Sequence, residues 1–277
     1  MSKFIRVLTV ADLHQSRRHY RWLASAVAEH KPDLITLVGD CLGLELPATL
    51  ADHLSVEETA EALSGLPAQH LLFVRGNHEQ EDWQRFVAAW PFDRRPLVAL
   101  YGSAFTLGPL VIVGFPCKVG WEGPWCQTLY KHGNGVVPDP AHSGRKVLPV
   151  DPAGWLPRLM RQTGSAGRTL WLMHEPPVAR PIASPATYNP DWTDAVERFR
   201  PLLTVSGHDH HTPLEHGTWH TKLGDTVCVN VGQDATDLHY GLIEFEFRQE
   251  QPCLPTRVIV RAFPWNQRTE IRMAEPA

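Results

Sequence analysis

The chain has 277 residues, 43% of them apolar and 20% charged, with a formal net charge of −4. That length buries a full core, and the charge balance leaves no footprint for nucleic acid or an anionic membrane as main partner. No run approaches the ~18 apolar residues of a membrane span, and five cysteines, odd in number and without CxxC spacing, argue against a disulfide framework.

Lys3 to Val10 is an apolar run, rich in β-branched residues, that ends at Ala11-Asp12-Leu13-His14. With Lys3 and Arg6 inside it and Asp12 cutting it short, it reads as a strand and not a signal peptide, so the expected setting is a reduced, cytoplasmic one. Trp22, Leu23, Ala26 and Val27 share a helical face that Pro32 closes. Asp33 to Val38 reads as the second strand, ending at Gly39-Asp40, and Ser55 with Glu58 has the spacing of a capping box. The helix it opens stops at Gly65 and Pro67. His70 to Val74 is the third strand and delivers Arg75-Gly76-Asn77-His78-Glu79 to its end. Trp83, Phe86, Val87 and Trp90 then mark an amphipathic helix.

This β-α-β-α-β-α order predicts a mainly parallel, layered sheet. Leu97 to Leu100 and Leu110 to Phe115 read as further strands. From Pro116 to Pro152 no periodicity holds, so the segment reads as an irregular insertion, rich in Gly, Pro and Trp, over the site mouth. A short helix near Trp155 to Gln162 precedes the strand Thr169 to Met173, which ends at His174. Asp191 to Phe199 reads as a helix, and Leu202 to Val205 as a strand ending in Gly207-His208-Asp209-His210. Thr226 to Val231, Tyr240 to Phe247 and Arg257 to Phe263 follow as hairpin-like strands that imply a mixed or second sheet. No repeat or linker divides the chain, which reads as one domain over 1–277.

Five strand ends thus carry Asp12 and His14, Asp40, Asn77 and His78, His174, and His208 and His210. In extended backbone an x-spaced pair points to one side, so Asp-x-His and His-x-His can each reach a single ion. Carboxylates, imidazoles and an amide suit borderline divalent metals (Mn, Fe, Zn, Ni), and there are more ligands than one ion takes. Two ions sharing a carboxylate is the natural reading.

The ordered set Asp12-x-His14, Gly39-Asp40, Gly76-Asn77-His78-Glu79, His174 and Gly207-His208-x-His210 resembles the calcineurin-like metallophosphoesterase superfamily. The resemblance implies an α/β fold of two mixed β-sheets packed as a sandwich with helices outside. It implies that Asp12, His14 and His210 bind one divalent ion, that Asn77, His174 and His208 bind the second, and that Asp40 bridges them. A metal-bridging hydroxide would attack a phosphate ester in line, with His78 assisting the leaving group. In the protein-phosphatase branch, Gly-Asp continues to a further Asp and Arg. Here Cys41-Leu42-Gly43-Leu44 follows, which leaves the group orienting His78 open, with Glu45 a candidate. A missing phosphate-clamping Arg weakens a dianionic monoester more than a diester, which favours a phosphodiesterase on a small-molecule or nucleotide-type ester. A phosphomonoesterase is the alternative, and a non-catalytic metal-binding scaffold is a reading from another class. Substrate contacts are open: Arg17 reads equally as a solvated helix end, Arg75 as a loop support, and Trp121 and Trp125 as an aromatic wall or local packing.

Overall fold

Alternation with a period of two places the strands between two apolar layers. Ile5 and Val7, Leu34 and Val38, and Leu72 and Val74 point into one buried cluster, while Leu8 and Val10, Ile35 and Leu37, and Leu71 and Phe73 point into another. Each such side chain contributes ~1.5–3 kcal/mol when buried, and a one-residue slip would reverse every one of them. The computed structural model describes residues 2–43, 52–79, 82–100, 102–115, 127–132, 135–138, 157, 160–161, 169–233, 237–248, 255–264 and 267–272.

The elements run β1 (Ser2–Val10), α1 (Arg17–His30), β2 (Leu34–Val38), α2 (Val56–Ser64), β3 (His70–Val74), α3 (Trp83–Ala89) and β4 (Leu97–Ala99). They continue with β5 (Ser103–Leu107), β6 (Leu110–Phe115), β7 (Gln127–His132), β8 (Gly135–Pro138), β9 (Thr169–Met173), α4 (Pro190–Phe199) and β10 (Leu203–Ser206). Last come α5 (Thr212–His216), β11 (His220–Leu223), β12 (Thr226–Asn230), β13 (Tyr240–Arg248), β14 (Pro255–Phe263) and β15 (Gln267–Arg272). Nine strands form one sheet in the order β15-β14-β13-β1-β2-β3-β4-β7-β8, and six form the other, β11-β12-β10-β9-β6-β5.

The cluster that takes Val7, Leu34 and Leu72 also takes Leu170, Leu172, Val205 and Val229, so it lies between the sheets. Leu23 and Val27 of α1, Ala60 and Leu63 of α2, and Phe86 of α3 cover the other face of the first sheet. Trp192 and Val196 of α4 cover Trp171 and Met173 of the second. The result is the expected α/β sandwich of two mixed sheets with helices outside.

Local chemistry sets the helix ends. The Ser55 hydroxyl accepts from the Glu58 amide, and the Glu58 carboxylate accepts from the Ser55 amide, the reciprocal cap expected from the spacing. Lys31 and Arg200 close α1 and α4 in the left-handed region.

The sequence reading differs from the structure in several places. Part of the segment read as irregular, 116–152, is regular: β7 pairs antiparallel with β4, and β8 with β7. These strands follow from pairing at a sheet edge, which the local pattern of Gln127 to His132 does not signal. β5, β11, β15 and the single-turn α5 were likewise not anticipated. β11 and β15 are edge strands, β5 is an edge strand of mostly half-buried residues, and all three take their register from a neighbour. Most of the helix read near Trp155 lies outside the described residues, as do Glu45, Trp121 and Trp125.

Candidate metal centre

The parallel strands β1, β2 and β3 of one sheet, and β9 and β10 of the other, all end at the same place. Beyond the strands the chain keeps pairing. The amides of Asp12, His14 and Gln15 donate to the carbonyls of Gly39, Asp40 and Cys41, and Gly207 donates to the carbonyl of His174. Asp12, His14, Asp40 and His208 all sit at positive φ, between 44° and 67°. Four non-glycine residues in the left-handed region, each carrying a candidate ligand, is strain concentrated at one site.

Two glycines make the approach possible. Gly39 has φ +89°, and a Cβ there would lie 2.1 Å from His174 Nδ1. A Cβ on Gly207 would lie 2.4 Å from Asp12 Oδ2. In each case a candidate ligand from the other sheet passes where a side chain would stand.

Three groups of donor atoms result, each with its atoms within 4.8 Å of one another: Asp12, His14 and His210; Asp40, His174 and His208; and His14, Asp40 and His78. Asn77 joins the second group, its Oδ1 3.1 Å from His174 Nε2. The carboxylates are held alike. Asp12 Oδ2 accepts the His208 amide at 2.9 Å, and Asp40 Oδ1 accepts the His78 amide at 2.9 Å. Their second oxygens face the imidazoles: Asp12 Oδ1 lies 3.5 Å from His210 Nε2, and Asp40 Oδ2 lies 3.1 Å from His174 Nε2. His174 Nδ1 bonds the Val38 carbonyl and His14 Nδ1 the Gly43 carbonyl, both at 3.0 Å. A carbonyl only accepts, so each Nδ1 carries a hydrogen and Nε2 is the nitrogen that could face an ion.

This donor set calls for a cation. Asp12 Oδ1 is buried without a hydrogen-bond partner among the described residues. Burial opposes ionisation of Asp40, yet the His174 imidazole beside it holds its carboxyl well below the usual range. Burial likewise pulls the His174 imidazole down, but Asp40 and Asp12 push it up to about 10. A divalent ion meets the same demand, and the oxygen and nitrogen donors, with no sulfur among them, fit one.

Of the remaining residues singled out from the sequence, His78 is in place and exposed at the mouth of the centre. Arg17 is turned elsewhere: its guanidinium bonds the Glu58 carboxylate at 3.2 Å and the His53 carbonyl at 3.1 Å. Arg75 lies over the Trp83 ring, 5.3 Å from its centroid.

A sequence model of the calcineurin-like phosphoesterases matches residues 5–212, about three quarters of the chain. The chain belongs to this family. The phosphoesterase is therefore a hydrolase of phosphoric esters, in a family that depends on two metal ions. No curated protein matches it in sequence. Among solved structures it is similar to a dimetal phosphatase from Danio rerio, with a TM-score of 0.59 at 9% identity, over 98% of this chain and 99% of that one. It is also similar to the protein TT1561 of Thermus thermophilus, with a TM-score of 0.54 at 12% identity, over 98% and 99% of the two chains. At such identities the likeness is one of fold.

Three residues that support the phosphoesterase centre were not assigned such a role from the sequence. Glu79 is buried, and its carboxylate accepts the amides of Asp40, Leu42 and Gly76, tying the ends of β2 and β3 together. Burial and the neighbouring Asp40 push its carboxyl up to about 7 against the pull of those amides. Asp209, between His208 and His210, accepts from the amides of Ser184, His211 and Thr212 and from the hydroxyls of Thr187 and Thr212. Asn230, fully buried, donates to the carbonyls of Ile182 and Asp209 and accepts the Gly232 amide. The residues in the motifs were visible, but contacts between loops 21 to 48 positions apart leave no local pattern.

Proposed function

We propose that this phosphoesterase is a dinuclear metal-dependent phosphodiesterase acting on a small-molecule or nucleotide-type ester. The observation that carries the reading is the lining of the cleft, a volume of about 460 Å³. Beyond the donor residues the described lining is Ser184, Thr187, Asp209, His211, Thr212 and Glu215, with no Lys or Arg among them. No guanidinium or ammonium in that described wall holds the second negative charge of a monoester, and Glu215 opposes it.

In this reading Asp12, His14 and His210 hold one ion, Asn77, His174 and His208 hold the other, and Asp40 is shared. The three donor groups and the amide-held carboxylates support these roles. Mn, Fe, Zn and Ni all suit the donors. When bound, two such ions neutralise charge on the phosphoryl oxygens and lower the pKa of water. The chain's own part is to fix the donors and to supply a proton. The amides of His208 and His78 each fix one carboxylate oxygen, so that the other faces inward. His78, exposed at the mouth, donates a proton to the departing alkoxide. Its ring packs edge-on against His14, with centroids 5.0 Å apart, and its Cβ lies where a side chain on Gly43 would stand.

The test is hydrolysis of bis-p-nitrophenyl phosphate against p-nitrophenyl phosphate with added Mn, for wild type and His78→Ala. The expected result is faster diester cleavage that needs both metal and His78. Preference for the monoester would replace this reading with a phosphomonoesterase. Bound metal with no turnover of any phosphate ester would replace it with the scaffold.

A further inference from the structure

The cleft lining divides by chemistry into the donor residues and a second wall from the loop 184–187 and α5. On that wall Asp209 is closed to any ligand: both its oxygens are occupied by three amides and two hydroxyls from within the chain. Thr187 and Thr212 spend their hydroxyl hydrogens on it. Glu215 is different. It is exposed, and among the described residues its carboxylate has no ion pair or hydrogen-bond partner. Its amide closes the turn onto the His211 carbonyl at 2.9 Å, and it lines the same cleft as the candidate donor His210. An uncompensated carboxylate at the mouth of a centre that takes an anionic phosphate works against binding. It becomes favourable when the substrate brings a cation of its own.

Resting on the diester reading, we propose that this wall receives the second alcohol of the diester and that this alcohol bears an ammonium group paired with Glu215. The ester is then zwitterionic: its phosphate meets the donor residues and its cation meets α5. Hydrolysis breaks the P–O bond to the leaving alcohol and forms one from water oxygen, and the cationic alcohol stays on the phosphate product. Ser184 and Thr187 line the same wall with their hydroxyls bonded to each other at 2.9 Å, which suits a polar aliphatic chain.

Two chromogenic diesters separate charge from shape: p-nitrophenyl phosphocholine and its neutral isostere, in which tert-butyl replaces trimethylammonium. Both release p-nitrophenol, so the varied group is the retained alcohol. With added Mn, wild type is expected to show kcat/KM for the cationic ester about fivefold above the neutral one. The preference should shrink as salt is raised. Glu215→Gln should bring the ratio to about one and Glu215→Lys should invert it, with unchanged melting curves showing that both variants fold. A wild-type ratio near one, or a ratio that Glu215→Gln leaves unmoved, overturns the inference while the diester reading stands. Cleavage of p-nitrophenyl phosphate with neither diester touched would overturn both.

Discussion

The two halves of the centre are braced by the same device with opposite electrostatic results. At the ends of β2 and β3 the brace is Glu79, and at the end of β10 it is Asp209. Each is a carboxylate shielded from solvent that accepts three loop amides. Burial raises the pKa of both. For Glu79 the next cause is the negative charge of Asp40, and the carboxyl ends up at about 7. For Asp209 it is the Thr187 hydroxyl, followed by the amides, and the carboxyl ends up below its ordinary value. Burial alone therefore does not decide the state of a supporting carboxylate here. What decides it is whether its neighbours are donors or another carboxylate.

Where the halves meet, the effect of mutation should be largest. Asp40 touches both, through the His78 amide on one side and His174 Nε2 on the other. Asp40→Ala should lose both metals by elemental analysis and at least about a thousandfold in turnover. His78→Ala should separate the roles, keeping both metals while losing about a hundredfold or more. Metal loss in His78→Ala would mean that His78 acts as a ligand in the group it forms with His14 and Asp40.

The braces themselves should respond unequally to neutral isosteres. In Glu79→Gln the amide oxygen can stay under the Gly76 and Asp40 amides, so one donor, Leu42 N–H, loses its acceptor while repulsion with Asp40 disappears. In Asp209→Asn the His211 and Thr212 amides both lose theirs and no repulsion is relieved. Urea unfolding should show a loss of about 1 kcal/mol for the first and about 2–3 kcal/mol for the second. Equal losses would mean that the two braces are electrostatically alike. Metal affinity should follow the same order, with a fall of about tenfold or more for Asp209→Asn, because it lies between His208 and His210.

The contrast between the halves is also one of legibility. β1, β2 and β3, with their Asp12-x-His14, Asp40 and Asn77-His78 ends, were readable because each is a buried strand stopped by polar residues within a few positions. The capping box at Ser55 and Glu58 was readable for the same local reason. The centre's supports were not. That Asp209 would turn its carboxylate to Ser184 and Thr187, or that Asn230 would reach Ile182, follows from the packing of β9, β10 and β12 and from nothing within either loop. Glu79 sat in plain view beside His78, but its function lies in amides 37 and 39 positions away. The edge strands β5, β8, β11 and β15, and β7 beside β8, were missed because pairing, not alternation, defines them.

The smallest effect is expected farthest from this bracing, at Arg17. From the sequence it was a candidate for holding phosphate, since it follows Asp12 and His14 at the start of α1. Its guanidinium instead reaches the Glu58 carboxylate that caps α2, and both side chains are well exposed. An exposed pair of this kind is screened by water and salt and holds little. Arg17→Ala should therefore leave KM for bis-p-nitrophenyl phosphate within about twofold of wild type and the melting temperature nearly unchanged. A rise in KM of tenfold or more, with kcat intact, would show that the guanidinium leaves Glu58 when an ester binds. It would also bring a guanidinium to a cleft whose described lining has no Lys or Arg, and so weaken the diester reading at its source.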